Sequence, residues 1–227
     1  MVISPKVIMV SGGVLNIMLC LAHFQWVIHA ADQDPLQDFC VADLDSMQVT
    51  LNGFPCKPSN DVNSTSFAST LLRLPMGENM ALGSAVNLAN AMTFPALNTQ
   101  GLSIARTDFR PRGLVPPHAH PRASEILFVT RGTLLVGFVS TSRQLFMQVL
   151  REGDLFVFPR ALPHFQFNVD EHLPALSISS FNSQNPGVYE LAASLLSTQP
   201  LLPIQVLQIA LGIHDQQELD RLISNAP

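Results

Sequence analysis

Between residues 101 and 181 the chain is written in short apolar runs cut apart by turn residues. The runs at 101–109, 125–130, 133–140, 144–150, 154–158, 164–169 and 175–181 read as strands. Pro111 and Gly113, Arg131-Gly132, Glu152-Gly153 and Pro159 to Pro163 mark the turns between them. Many short strands at this spacing predict an all-β sandwich or barrel. "EILFVTRGTLLVGFV" predicts a hairpin turning at Gly132. Residues 31–75, with scattered Pro, Asn and Ser, read as loop-like.

The two ends of the chain follow other rules. Residues 1–30 hold one charge, Lys6, then apolar runs, and close on "QWVIHA". A basic start, an apolar middle and a small final residue predict a secretory signal peptide cleaved after Ala30. A retained signal anchor is the rival, but "SGG", His23 and Gln25 interrupt the stretch. No other segment approaches the roughly 20 apolar residues of a spanning helix, so the expectation for residues 31–227 is an exported domain with no membrane attachment. Near the C-terminus, Ile204, Leu207 and Leu211 follow Pro203 at helical spacing. Asp215 and Glu218 suit a capping box ahead of Leu219, Leu222 and Ile223. Two short helices on a β domain either dock onto another subunit or pack back on the barrel.

Cleavage moves the net charge from −5 to −6 by removing Lys6, and it removes Cys20. The missing basic surface argues against a nucleic-acid partner. Only 13% of residues are charged, which suits a tight fold or subunits that cover each other. Cys40 and Cys56 remain, and in an exported protein a pair reads as one disulfide, with two buried thiols as the alternative. "NST" at 63–65 is an N-glycosylation sequon on Asn63.

The chemistry concentrates in "PPHAHPRASE", residues 116–125. Pro116, Pro117 and Pro121 forbid a regular helix. Extended backbone puts residues two apart on one face, so His118 and His120 point together. Glu125 opens the next strand, and a turn at 121–124 brings it beside them. Other histidines are few. His23 and His29 leave with the leader, His172 lies in "DEHLP", and His214 begins the last helix. His164 leads "HFQFN", where residues 164, 166 and 168 form a polar stripe. A lone histidine is more often hydrogen-bonded than metal-bound. HxH, then a glutamate, then one more histidine across antiparallel strands is a far more specific pattern.

These segments resemble a known family. "GLVPPHAHPRASEILFVTRG" is similar to the first cupin motif, the germin box, and "GDLFVFPRALPHFQFN" to the second. "DPLQDFCVAD", "NGFPCK" and "SFNSQNPG" are also similar to plant germins and germin-like proteins, so the resemblance spans about 32–227. It implies a single jelly-roll β-barrel secreted to the plant apoplast, with a Cys40–Cys56 disulfide. It implies a homohexamer, a trimer of dimers, held partly by the C-terminal helices. It also implies one Mn²⁺ per barrel on His118, His120, Glu125 and His164. Mixed imidazole and carboxylate ligands suit a six-coordinate divalent ion, although ligand type alone admits iron, zinc or copper.

Two departures bear on function. Germins with oxalate oxidase activity carry asparagines near the metal where this chain has Ala105 and Val115. A dianion without such donors forgoes roughly 1.5–3 kcal/mol for each charged hydrogen bond not made. The expectation is therefore no oxalate oxidase activity. Superoxide, a small anion needing little pocket chemistry, is the favoured substrate, with H₂O₂ as product and a role in defence or wall chemistry. The alternative is a non-catalytic, metal-stabilised wall protein or a binder of a small auxin-like carboxylate. The second departure is Ala161, which ends "PRA" where the family usually has glycine. It fits a tight turn only if its φ stays negative.

Overall fold

The computed structural model describes residues 39–46, 52–74 and 82–225. The expected leader at 1–30 and the start of the domain at 31 lie outside the described residues. Ten strands follow in order: β1 (Ser84–Ala89), β2 (Ser103–Phe109), β3 (Leu114–Ala119), β4 (Glu125–Arg131), β5 (Thr133–Val139), β6 (Leu145–Arg151), β7 (Leu155–Phe158), β8 (His164–Asn168), β9 (Ala175–Phe181) and β10 (Tyr189–Glu190). They form two antiparallel sheets, ordered β1-β2-β9-β4-β7 and β10-β3-β8-β5-β6. The fold is all-β, a jelly roll, as expected. All seven strands read from the alternation are present, with ends shifted by at most two residues.

The hairpin at Gly132 is not there. β4 pairs with β7 and β9, whereas β5 pairs with β6 and β8, so the chain changes sheets between Arg131 and Thr133. Gly132 makes that corner at φ 83°, and a Cβ there would meet Ala175 at 2.8 Å. A local apolar alternation cannot say whether two consecutive strands share a sheet. β1, β3 and β10 were also not anticipated. β3 contains Pro116 and Pro117, and its pairing with β8 shifts register between Val115 and His118. Such an irregularity accommodates residues that cannot donate a ladder hydrogen bond.

Alternation builds the interior. β2 buries Ser103, Ala105, Thr107 and Phe109, and β9 buries Ala175, Ser177, Ser179 and Phe181. Phe109, Val115, Leu127, Val129, Leu134, Val136, Leu150 and Phe158 pack into one apolar cluster. Along β4 the inward positions run Glu125, Leu127, Val129. One strand thus supplies a carboxylate at one end of the barrel and core further along.

Cys40 and Cys56 are joined by a disulfide, beside the isolated bridge between Ala42 and Cys56. The C-terminal helices span Ile204–Leu211 and Gln216–Ser224, and bury Leu207 and Leu219. Asp215 caps the second by accepting from the Gln217 amide at 2.8 Å. A further helical turn at Ala193–Leu196 was not expected. Among the described residues no helix is long and apolar enough to cross a membrane.

Candidate metal centre

The local backbone aims the three imidazoles. His118 stands near the end of β3, directly across from His164 on β8, and His120 follows the strand by one residue. Each ring is fixed by a backbone carbonyl at Nδ1. His118 meets Pro116 O at 2.8 Å, His120 meets Gly187 O at 2.6 Å, and His164 meets Leu162 O at 2.8 Å. A carbonyl only accepts, so Nδ1 carries the proton in all three rings and each Nε2 keeps its lone pair. Phe158 stacks on His164 at 4.4 Å and the edge of Phe181 meets His120 at 4.8 Å.

Glu125 completes the cluster. The four side chains are buried, and their ligating atoms lie within 4.8 Å of one another. Glu125 Oε2 lies 3.1 Å from His120 Nε2 and 3.2 Å from His164 Nε2. With protons on Nδ1, those contacts set lone pairs against lone pairs unless a cation sits between them. Protons on Nε2 or a metal ion both answer the requirement. Three aimed imidazole nitrogens and one carboxylate oxygen, with Nδ1 anchored to carbonyls, fit a divalent metal.

Electrostatics agree. Burial is the largest influence on Glu125 and would push its carboxyl up; hydrogen bonds from His120 and His164, in the form that also carries a proton on Nε2, overcome it and hold the group well below the usual carboxylate range. Burial pushes His118 down to about 4, helped by His164. Its imidazole therefore stays neutral at physiological pH, the form that binds metal.

The Cupin family profile matches residues 74–219. Germin-like protein 8-2 of Oryza sativa subsp. japonica is 47% identical over 215 residues, covering 93% of this chain and 96% of that one. This chain belongs to the germin-like proteins of the cupin family. Germin-like protein subfamily 2 member 1 of Arabidopsis thaliana is likewise 47% identical, over 85% of this chain and 88% of its own. Among solved structures, a recombinant oxalate oxidase in complex with glycolate superposes with a TM-score of 0.81 at 42% identity, covering 86% of this chain and 97% of that one. Peruvianin-I, described as a cysteine peptidase from Thevetia peruviana latex, gives 0.67 at 41% identity, over 71% of this chain and 98% of its own. Cys40 and Cys56 are bonded to each other here, so among the described residues no thiol is available for that chemistry.

In this germin-like chain a cavity of about 160 Å³ opens beside the cluster. Its walls include Ala105 and Val115, the two positions singled out in the sequence, with Leu88, Phe181 and Val188. Neither Ala105 nor Val115 can donate a side-chain hydrogen bond into it. Two further residues hold the Glu125 carboxylate. Gln166 Nε2 donates to Glu125 Oε1 at 3.1 Å, and Ser179 Oγ donates to the same oxygen at 2.6 Å. Gln166 was visible as part of the polar stripe behind His164. Ser179 was not, although the alternation of "ALSISSF" already set it on the inward face with Ala175.

Elsewhere, His172 and His214 are exposed and outside the cluster, while His23 and His29 fall outside the described residues. Asn63 is exposed, and its Oδ1 accepts from the Thr65 amide at 2.9 Å and hydroxyl at 2.6 Å. Ala161 does not keep a negative φ. It adopts φ 61°, and its N–H donates to His120 O at 3.1 Å. The turn therefore carries backbone strain next to a candidate ligand.

Proposed function

We propose that this germin-like chain is a secreted, manganese-binding protein of the plant apoplast that dismutates superoxide to O₂ and H₂O₂ and does not oxidise oxalate. The observation that carries the reading is the pairing of a complete His118, His120, Glu125, His164 cluster with an apolar cavity wall at Ala105 and Val115. When bound to His118, His120, Glu125 and His164, manganese would accept one electron from superoxide, releasing O₂, and return it to a second superoxide, which leaves as H₂O₂ with two protons from solvent. The chain's own part is to hold four donor atoms in place and to keep the cavity small. Superoxide is a monoanion of two atoms and needs no amide clamp; oxalate carries two carboxylates, to which Ala105 and Val115 offer no donor.

The remaining expectations gather support of different kinds. The Cys40–Cys56 disulfide and the exposed sequon at Asn63 suit a secretory route, with residues 1–30 as leader and 31–227 as the exported domain. Self-association is supported by two of the four edge strands, β6 and β7. β6 exposes Leu145, Phe146, Met147 and Val149, and β7 exposes Leu155 and Val157. Soluble chains blunt exposed apolar edges, and a second copy would cover these on the way to a hexamer. The apolar wall also favours one alternative, a non-catalytic role as a metal-stabilised wall protein or a binder of a small carboxylate with an apolar body.

The test is metal content together with dismutase and oxalate oxidase assays on the purified, glycosylated protein. Bound manganese with dismutation that disappears in His118→Ala supports the proposal. Bound manganese without dismutation moves the balance to the binding role. Ala105→Asn with Val115→Asn examines the oxalate argument: turnover that remains absent shows that missing amides are not the reason.

A further inference from the structure

The two oxygens of Glu125 have different neighbours. Oε2 faces His120 and His164 at 3.1 and 3.2 Å, whereas Oε1 accepts from Ser179 Oγ at 2.6 Å and from Gln166 Nε2 at 3.1 Å. Glu125 and Ser179 are each 2% exposed, so water does not compete for this bond. Ser179 sits on β9, beside Leu127 of β4 on one side and Ala105 of β2 on the other, and its side chain lines the cavity. It belongs to the central strand of its sheet, where backbone pairing on both edges fixes its position.

We infer that Ser179 is a positioning residue that ties Glu125 Oε1 back and restricts the carboxylate to one-oxygen coordination through Oε2. The inference rests on the reading of the cluster as a metal site. A carboxylate whose second oxygen is free can swing to chelate an ion with both oxygens and occupy a position that a small substrate needs. Two donors on Oε1 oppose that swing. Of the two, the Ser179 bond is the shorter, and its short side chain on a paired strand has little freedom to follow a moving carboxylate.

The experiment compares wild type, Ser179→Ala and Ser179→Thr, each stripped of metal and titrated with Mn²⁺ at one pH. The dissociation constant and the Mn(II) electron paramagnetic resonance spectrum are the readouts. Ser179→Ala leaves the carboxylate to be ordered only when the ion arrives, so it is expected to bind about 10-fold more weakly and, with Oε1 free to move, to show an altered zero-field splitting, while Ser179→Thr, which keeps the hydroxyl, returns both toward wild type. An alanine variant with wild-type affinity and spectrum overturns the inference. So does a threonine variant perturbed as much as alanine, because packing is then the cause. If Ser179→Ala does not fold, Ser179→Cys, with only a weak S–H donor, takes its place under the same two outcomes. A wild-type chain that takes up no manganese overturns the metal reading as well, which separates the two failures.

Discussion

Replacing Glu125 by glutamine should make the metal-free protein more stable while removing its response to manganese. In the wild type, Oε2 lies 3.1 and 3.2 Å from two imidazole nitrogens whose protons are committed to backbone carbonyls on the far side of each ring. Glutamine keeps an oxygen for Ser179 and Gln166 and turns an NH₂ group toward those two lone pairs. Two unfavourable contacts become two hydrogen bonds, each worth about 0.5–1.5 kcal/mol net, so the gain is about 1–3 kcal/mol. Replacing a buried charge by a neutral group of the same shape acts in the same direction. For a chain of this length each kcal/mol corresponds to roughly 2–4 °C in Tm. Thermal unfolding at pH 8, with chelator or with excess Mn²⁺, measures both effects. Saturating the wild type at 100 times its Kd adds about 2.7 kcal/mol, and Glu125→Gln should gain much less. A metal-free variant that melts below metal-free wild type at pH 8, or an equal manganese-induced rise in both, would refute the reasoning.

Other outcomes follow from neighbouring groups. His118 is held at about 4, against 6.5 for a free imidazole, chiefly by burial and then by His164. Between those pH values the unfolded chain binds the proton and the folded one does not, so this stability is fully present above pH 6.5 and lost as pH falls through 4. The drop is worth about 3 kcal/mol, and urea unfolding of metal-free protein at pH 7 and pH 4.5 should show most of it. Ala161→Gly relieves a φ of 61° and should stabilise the fold by about 0.5–1 kcal/mol, because the relief exceeds the entropy glycine adds to the unfolded chain. A variant less stable than wild type in denaturant titration would show that the turn is not strained.

How far the sequence reached depended on whether a feature was local. Strand-by-strand alternation placed β2, β4 and β9 because a side chain's face is decided by its own strand. The link between β4 and β5 was misread because sheet membership depends on partners far along the chain, and the apolar run through Gly132 looks the same either way. β3 was hidden by Pro116 and Pro117, which read as loop until the register shift beside them is seen. The four candidate ligands were legible because HxH, a glutamate and a distant histidine are rare residue types at a recognisable spacing. Ser179 was not, since one serine among several in "SISS" has no chemical signature until Glu125 lies 2.6 Å away. The positive φ of Ala161 was raised as a question by its neighbours and answered only by the backbone.

The most direct measurement is elemental analysis of the native, glycosylated protein alongside its superoxide dismutase activity, with Glu125→Gln as the reference. About one manganese per chain, with activity that tracks manganese and is lost in the variant, is the expected result. A native protein carrying zinc or no metal, or one carrying manganese without dismutating superoxide, would contradict the account.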